Sequence, residues 1–319
     1  MLRSVTTRRT TAVLAAAATL SGLTACGSDA ADEGSAGEGA HAGTRSVDGV
    51  YGRVEVEGVP QRVVALTPQA ADILLSLGVQ PVAVAMTAEE EPTYPWLDGA
   101  LTGEIDPHLL AGFVASPEAV AAHDPDLIVG AAWAVPEDVH RQLEDVAPTF
   151  AGLTEGNDDW DDLALALAEL TGTDGAGVVA GVGDACEAAA AELPHLAGDT
   201  YQYVAAEQGR YRFGNGAWLE CFGLVPAADQ DNTQVGEAGV AEENLTDLDA
   251  DVLAIFDRLG VRSALEDDAR FTGLPSSNGG AVLWLDAALA NATNSPGPLS
   301  FAYVIEQVQP VLASDGGRD

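Results

Sequence analysis

Two segments of the chain, 125 residues apart, share one pattern of acidic and aliphatic residues. They run from Glu118 to Val129 and from Glu243 to Ala254. In each, a Glu begins a short helical stretch, an Asp follows eight residues later, and an aliphatic strand comes next. Matching offsets in two places favour two lobes of similar build over a chance likeness between generic helix–strand units.

Strands and helices alternate along the rest of the chain, which is typical of an α/β fold with mainly parallel sheets. The predicted strands are 62–66, 81–85, 126–130, 201–205, 252–256 and 281–285, and the predicted helices are 68–77, 117–123, 137–145, 160–170, about 176–193 and about 299–312. Residues 218–221 form a further short element of the second α/β set. We therefore predict an N-terminal lobe over 49–172, a connecting helix within 173–197 and a C-terminal lobe over 198–319.

The N-terminal segment has the pattern of an export signal. Three arginines in the first nine residues precede an apolar run at 12–20, which is too short to span a bilayer as a stable helix. The sequence Leu23-Thr24-Ala25-Cys26 resembles a bacterial lipobox, in which the cysteine is diacylated. We predict a lipoprotein signal peptide over 1–25, lipidation of Cys26, and a position on the outer face of the cell membrane. An ordinary secretory signal with a chance cysteine is the alternative, and twin-arginine export stays open beside general secretion.

Residues 26–48 are rich in Gly, Ala, Ser, Asp and Glu and show no apolar periodicity over most of their length. We predict a flexible tether there, between the lipid anchor and the folded lobes. Such a tether suits a protein that works close to a membrane partner.

The charge of the chain excludes several classes of function. There are 50 acidic residues, 13 arginines and no lysine, giving a net charge of -37. Loss of residues 1–25 removes three of the arginines and no acid. Binding to nucleic acid needs clustered basic residues, as does docking onto anionic lipid through a basic patch, and the composition disfavours both.

Two cysteines remain after Cys26. Cys186 and Cys221 could form a disulfide in an exported protein, or both could be buried free thiols. We expect free thiols, because we place each cysteine within a helix.

Five motifs occur in order within residues 49–313. They are Arg62-Val-Val-Ala-Leu-Thr-Pro, Leu77-Gly-Val-Gln-Pro-Val-Ala-Val, Asp124-Pro-Asp-Leu-Ile-Val-Gly, Val146-Ala-Pro-Thr and Glu242-Glu-Asn-Leu-Thr-Asp-Leu-Asp-Ala-Asp-Val-Leu. Together they resemble the periplasmic-binding-protein-like lipoproteins that serve ATP-driven (ABC) importers of ferric siderophores, haem and vitamin B12. Each motif is short, and their order and spacing carry the resemblance.

The resemblance implies a class III substrate-binding protein, with two α/β lobes joined by one long rigid helix and the ligand in the cleft between them. It implies a monomer with no cofactor and no catalysis, which delivers its ligand to the membrane permease of an ABC importer. It also implies that Glu118 and Glu243 dock onto permease arginines. The alternative for each Glu is a favourable position in the first turn of a helix.

A ferric siderophore is a bulky chelate with apolar edges and anionic oxygens, so its site needs aromatic walls and a few arginines. The predicted ligand-binding residues, in loops beside strands, are Tyr94, Trp96, Trp133, Arg210, Tyr211, Arg212, Trp218 and Trp284. Arg258 and residues 291–294 are weaker candidates, and Trp160 is expected to be a packing residue. Core packing is the alternative for each aromatic residue, and a surface ion pair is the alternative for Arg212.

Several other functions are compatible with export. The protein could instead bind cobalamin or haem, or it could be a relative that binds a free metal ion. The five histidines do not converge in the predicted fold, and no metal site is predicted. A surface lipoprotein without a transport role is a further alternative. An enzyme is disfavoured, because no Gly-x-Ser-x-Gly, Walker or zinc-protease motif is present. The acidic composition favours neutral or cationic ferric hydroxamates over anionic ferric catecholates.

Overall fold

The computed structural model describes residues 43–230, 232 and 238–314. The predicted signal peptide, Cys26 and most of the predicted tether lie outside these residues. Residues 44–48, which we assigned to the tether, instead form most of strand β1, which pairs antiparallel with β2. The sequence gives little sign of this hairpin, because its first strand has no fully buried side chain and so lacks a regular alternation of apolar residues.

The first lobe is built on a parallel sheet of five strands in the order β5-β4-β3-β8-β9. Its central strands, β3 and β8, are buried along their whole length, as expected where helices cover both faces of a sheet. The elements of this half are β1 Thr44–Gly49, β2 Gly52–Glu57, β3 Val63–Ala65, α1 Pro68–Ser76, β4 Ala83–Val84, β5 Glu104–Ile105, β6 Leu110–Ala111, β7 Val114–Ala115, α2 Pro117–Ala121, β8 Leu127–Val129, α3 Glu137–Glu144, β9 Thr149–Phe150, α4 Trp160–Thr171 and α5 Gly175–Glu192.

The second lobe contains a six-stranded sheet in the order β13-β11-β10-β14-β15, with β12 also paired to β10. Its elements are β10 Thr200–Glu207, β11 Arg210–Phe213, β12 Val225–Pro226, β13 Gly239–Ala241, β14 Val252–Phe256, α6 Arg262–Glu266, α7 Ala269–Thr272, β15 Ala281–Leu285, α8 Ala287–Asn294 and α9 Pro298–Ser314. Apolar side chains pack on both faces of this sheet, as they do in the first lobe.

The second sheet is mixed, but three of its five strand pairings are parallel, as expected of a mainly parallel sheet. β10, β14 and β15 are parallel, but β11 runs antiparallel to both β10 and β13. The cause is local, because only two residues separate β10 from β11 and Gly209 adopts a φ of +76° there. A connection this short can only form a hairpin.

The short element predicted at 218–221 is a 3₁₀ segment, Ala217–Phe222, that packs against α5. Periodicity cannot separate a short buried strand from a short buried helix. Gly223, with a φ of +81°, ends the segment.

Helix α5 is the predicted connection between the lobes, and its 18 residues span about 27 Å. The side chain of Asp174 caps its first turn by accepting a hydrogen bond from the backbone of Gly177. A disulfide joins Cys186 of this helix to Cys221, with 4.5 Å between the two Cα atoms, so the expectation of free thiols was wrong. The pairing depends on the fold of the 3₁₀ segment, which places Cys221 beside the helix.

Helix α9 contacts α5 and α8 and also reaches α1 of the first lobe. The carboxylate of Asp72, on α1, accepts hydrogen bonds from the backbone N–H groups of Leu299 (2.8 Å) and Ser300 (2.9 Å). Asp72 is 1% exposed, and burial raises its pKa to about 6, against the lowering effect of these two hydrogen bonds. A buried carboxylate therefore closes the N-terminus of the last helix onto the first lobe.

This raised pKa predicts a specific dependence of stability on pH. The folded chain binds a proton at Asp72 more tightly than the unfolded chain does, so rising pH lowers the unfolding free energy between about pH 4 and 6. Relative to Asp72→Asn, which does not titrate, wild type should lose up to about 3 kcal/mol across that window. Urea titrations of both proteins at several pH values measure the difference. Parallel stability curves would contradict the prediction.

In the part of the chain that the structure describes, no helix is long and apolar enough to cross a membrane.

Candidate functional site

A cavity of about 1450 Å³ lies between the two lobes. On the first lobe its walls come from the residues that follow β3, β4, β8 and β9, at the carboxyl ends of the parallel strands. On the second lobe they come from β11, the loop after it, and the end of α8. Ligands of α/β proteins bind at this edge of the sheet, because the loops that leave the strands converge there.

The first-lobe wall carries aromatic side chains. Tyr94 packs edge-on against Trp96, and burial together with the nearby charge of Glu90 raises the pKa of Tyr94. Trp133, half exposed, also lines the cavity. Tyr94 and Trp133, both predicted to bind the ligand, therefore lie in the cavity wall, in loops beyond the sheet.

Phe113 also lines the cavity, and sequence reasoning missed it. It is 79% exposed, at the tip of the β6–β7 hairpin, where Gly112 has a φ of +69°. The signal available in the sequence was a phenylalanine beside a glycine in a short connection. Trp160 lines the cavity as well, and it packs against Phe301 at 5.3 Å, so its role is not packing alone.

Arg212 contributes the positive charge of the second-lobe wall. It lies on β11, and its Nε donates a 2.7 Å hydrogen bond to the carboxylate of Glu207. Arg210 donates to the other oxygen of the same carboxylate. These two hydrogen bonds lower the pKa of Glu207, which stays ionised and holds the Arg212 guanidinium in place. The ion pair that was the alternative for Arg212 is therefore present, and the residue also lies in the cavity wall.

A polar network holds the loop that follows β11 against β10. Gln230, which is buried, accepts from the backbone N–H of Tyr203 and donates to the carbonyl of Gly214. Asn232 accepts from the backbone of Gly216 and donates to the Tyr201 hydroxyl. A Cβ on Gly214 or Gly216 would come within 2.6 Å of a tyrosine ring, so this loop needs glycine to lie so close to β10.

Trp218 lies in the 3₁₀ segment and faces Tyr203 edge-on, with ring centroids 6.0 Å apart. It lines the cavity and is 4% exposed. Its indole Nε1 is buried without a hydrogen-bond partner among the described residues.

Four predicted ligand-binding residues lie outside the described lining of the cavity. Trp96 packs against Tyr303 of α9, and Arg210, at the start of β11, is partly exposed beside Glu207. Tyr211 points to the opposite face of β11 from Arg212, because side chains alternate along a strand, and it is buried in the core there. The position of these residues in the sequence did not show which face of β11 meets the cavity.

Trp284 lies on the edge strand β15, between Phe271 and Arg262. It lines a separate cavity of about 350 Å³ beside α6 and α7. Arg258 sits over the ring of Phe256, and it too is outside the described lining, whereas Asn294 is part of it.

Glu118 and Glu243 occupy corresponding places in the two lobes. Glu118 is in the first turn of α2, which leads into β8, and Glu243 is in the first turn of the 3₁₀ segment Glu242–Asp247, which leads into β14. Both side chains are exposed. The duplicated pattern of the sequence therefore corresponds to a duplicated helix–strand unit.

The described residues contain no group of three or more His, Cys, Asp or Glu side chains that could hold a metal ion. His123 instead pairs with Asp106 at 2.9 Å, and this hydrogen bond lowers the pKa of Asp106 against the opposing effect of burial.

Comparisons with known proteins agree with this architecture. No family model matches the chain. Over 148 residues the chain is 32% identical to the "Probable siderophore-binding lipoprotein YfiY" of Bacillus subtilis. That match spans 44% of this chain and 42% of the relative's length.

Solved structures match over most of the chain. A periplasmic solute-binding protein from Mycobacterium smegmatis has a TM-score of 0.71 at 24% identity, covering 86% of this chain and 99% of that one. PiaA of Streptococcus pneumoniae, solved with ferrichrome, has a TM-score of 0.70 at 18% identity, covering 85% and 98%. SirA of Staphylococcus aureus, solved with staphyloferrin B, has a TM-score of 0.68 at 20% identity, covering 84% and 98%. The chain therefore has the two-lobed α/β fold of these solute-binding proteins.

Proposed function

We propose that the protein is the lipid-anchored substrate-binding protein of an ABC importer and that it captures a ferric siderophore in the cleft between its lobes. The observation that carries this proposal is the cavity, which combines aromatic walls with an oriented arginine at the carboxyl ends of the strands. The protein then delivers its ligand to the permease, as a monomer, without cofactor or catalytic chemistry.

The size of the cavity favours a bulky ligand. At about 1450 Å³ it exceeds the roughly 300–1,000 Å³ of ordinary small-molecule pockets. Tyr94, Trp133, Phe113 and Trp218 offer flat apolar surfaces for the edges of a chelate. Arg212 offers N–H donors to its oxygens.

Two features support an exported protein. The N-terminal segment resembles a lipoprotein signal ending at Cys26. The Cys186–Cys221 disulfide suits an oxidising compartment, since cytosolic thiols are normally kept reduced. The anchor holds the protein to the outer face of the membrane, where Glu118 and Glu243 can reach permease arginines.

The net charge of -37 favours hydroxamate siderophores. Ferric trihydroxamates are neutral or cationic, whereas ferric catecholates are strongly anionic and are repelled by an acidic protein. Salt weakens this preference beyond about 10 Å.

The binding proposal predicts a ligand-dependent change in tryptophan fluorescence. Ferric hydroxamates should quench the intrinsic emission, because Trp133, Trp160 and Trp218 line the cavity. Arg212→Gln should weaken binding about 10- to 100-fold, since a charge-assisted hydrogen bond is lost. Arg141→Gln, on the exposed face of α3, is the matched control and should bind like wild type.

The same titration decides between the alternatives. Quenching by cobalamin or haem, with no response to hydroxamate, catecholate or carboxylate chelates, would replace the siderophore assignment. A response to free metal ions alone would favour a metal-binding relative. No response to any of these ligands would leave a surface lipoprotein without a transport role.

A further inference from the structure

One part of the cavity wall belongs to the second lobe by sequence but is held by the first. It consists of the end of α8, the connection to α9 and the first turn of α9, and we call residues 293–301 the bridging segment. This segment contacts α1 and α4 of the first lobe. Its members in the described lining of the cavity are Thr293, Asn294, Ser295, Pro296 and Phe301. The position of this wall therefore depends on its contacts with the first lobe.

Asp72 of α1 makes a buried contact with the bridging segment. Its two carboxylate oxygens each accept one backbone hydrogen bond, Oδ1 from Leu299 and Oδ2 from Ser300. A Cβ on Gly297 would come within 2.6 Å of the carboxyl carbon of Asp72, so the connection between α8 and α9 lies in close contact with the carboxylate. Asp72 itself is outside the described lining of the cavity. It can therefore act on a ligand only through the residues that it holds.

Two further contacts between the lobes lie close to this one. Gln69, one turn before Asp72 on α1, donates a 2.9 Å hydrogen bond from Nε2 to the carbonyl of Pro296. The ring of Trp160 packs against that of Phe301, with 5.3 Å between the centroids. Because all four of these residues line the cavity, a shift of the bridging segment would change several of its surfaces at once.

A buried carboxylate is a costly way to join two helices. Asp72 is 1% exposed, and its hydrogen bonds come from backbone N–H groups rather than from a basic side chain. Taking a carboxylate out of water costs free energy that such hydrogen bonds offset only in part, and apolar packing is often at least as stabilising. What the carboxylate adds is direction, because its two oxygens must meet two fixed donors. Asp72 therefore suits a role in positioning α9 better than a role in stability.

We propose that Asp72 is a positioning residue of the ligand site, which holds the bridging segment against α1 and thereby sets how tightly the cavity binds its ligand. A wall that is held in place before binding does not have to be ordered by the ligand, and this improves affinity. The inference rests on the proposed function, and it adds a residue that acts on the ligand without touching it.

Asp72→Asn tests the proposal with an almost isosteric change. The amide keeps one acceptor oxygen and turns its NH₂ group toward one of the two backbone donors, so one hydrogen bond is lost. Fluorescence titration with ferrioxamine B at neutral pH should show binding roughly tenfold weaker than that of wild type. Gly297→Ala leaves the carboxylate intact but forces the connection away from it, and it should weaken binding by a similar factor.

The matched control is Asp126→Asn. Each oxygen of Asp126 also accepts one backbone hydrogen bond, from Gln61 and from Arg62. These contacts lie within the first lobe, and none of the three residues belongs to the described lining of the cavity. The same chemical change should therefore leave the affinity for ferrioxamine B at its wild-type value.

Hydrogen exchange separates positioning from stability. In Asp72→Asn the backbone amides of Leu299 and Ser300 should exchange faster than in wild type, whereas Asp126→Asn should leave their exchange unchanged. A merely structural role would change the unfolding free energy and leave the affinity of the folded protein as it is. Affinity is therefore measured well below the unfolding transition of each variant.

The outcomes separate this inference from the proposed function. Wild-type affinity in either Asp72→Asn or Gly297→Ala would overturn the inference and leave siderophore capture intact. Equal weakening in Asp126→Asn, or unchanged exchange at residues 299–300 in Asp72→Asn, would also overturn it. If wild type itself binds no ferric siderophore, the proposed function fails, and this inference fails with it.

Discussion

Reversing the charge of the two proposed docking residues, in Glu118→Arg/Glu243→Arg, is expected to abolish siderophore uptake in cells that express the importer. The two glutamates are exposed in the first turns of equivalent helical segments, one in each lobe. Arginines at these positions would face the proposed permease arginines, and such like-charge contacts would cost several kcal/mol and prevent docking. Ligand affinity in the purified protein should stay unchanged, because neither residue belongs to the described lining of the cavity. Uptake of iron-55 as the ferric chelate measures the first effect, and fluorescence titration measures the second.

The control must carry the same change of net charge. Glu169→Arg/Glu306→Arg places two arginines on exposed positions of α4 and α9 and should retain uptake. Normal uptake by the Glu118→Arg/Glu243→Arg variant would remove the docking assignment. Loss of uptake in both double variants would show a general effect of charge rather than a specific contact.

Removing the disulfide, in Cys186→Ser/Cys221→Ser, is expected to lower the unfolding free energy by about 4 kcal/mol. The bridge closes a segment with a sequence separation of 35, and a loop of that length restricts the unfolded chain by about this amount in the chain-entropy model. It also fixes the segment that carries Trp218 to the rigid helix α5. Guanidinium titrations with and without a reductant give the difference.

Wild type should shift to a lower denaturation midpoint in reductant, whereas the double-serine variant should not respond to reductant. Equal midpoints for oxidised and reduced wild type would contradict the prediction. A single Cys186→Ser variant adds little information, because it leaves a thiol at Cys221 that can react further.

Local patterns in the sequence predicted much of the architecture. The duplicated units at Glu118 and Glu243, the connecting helix, and strands such as β8 and β14 all follow from apolar runs, proline and glycine at the expected places. The cleft position of Tyr94, Trp133, Arg212 and Trp218 could be predicted because loops after strands converge at one edge of the sheet.

The remaining features depend on contacts between distant residues. Arg212 lines the cavity and Tyr211 does not, because the two side chains lie on opposite faces of β11. The pairing of β11 with β10 and β13 sets which face meets the cavity. The disulfide required the 3₁₀ segment to lie against α5, which the apolar run at 217–222 does not encode on its own. Asp72 resembled an ordinary helix residue until α9 was placed beside it.

The contact between Asp72 and the first turn of α9 has a consequence for how the chain is made. A ribosome releases residues 68–76 long before residues 297–300, so α1 emerges without the backbone donors that its buried carboxylate requires. Domains usually fold as units during synthesis, starting from the N-terminus. Here Asp72 can gain its partners only after more than 220 further residues have appeared, since 227 positions separate it from Leu299. The contact that closes α9 onto the first lobe is therefore among the last to form during synthesis.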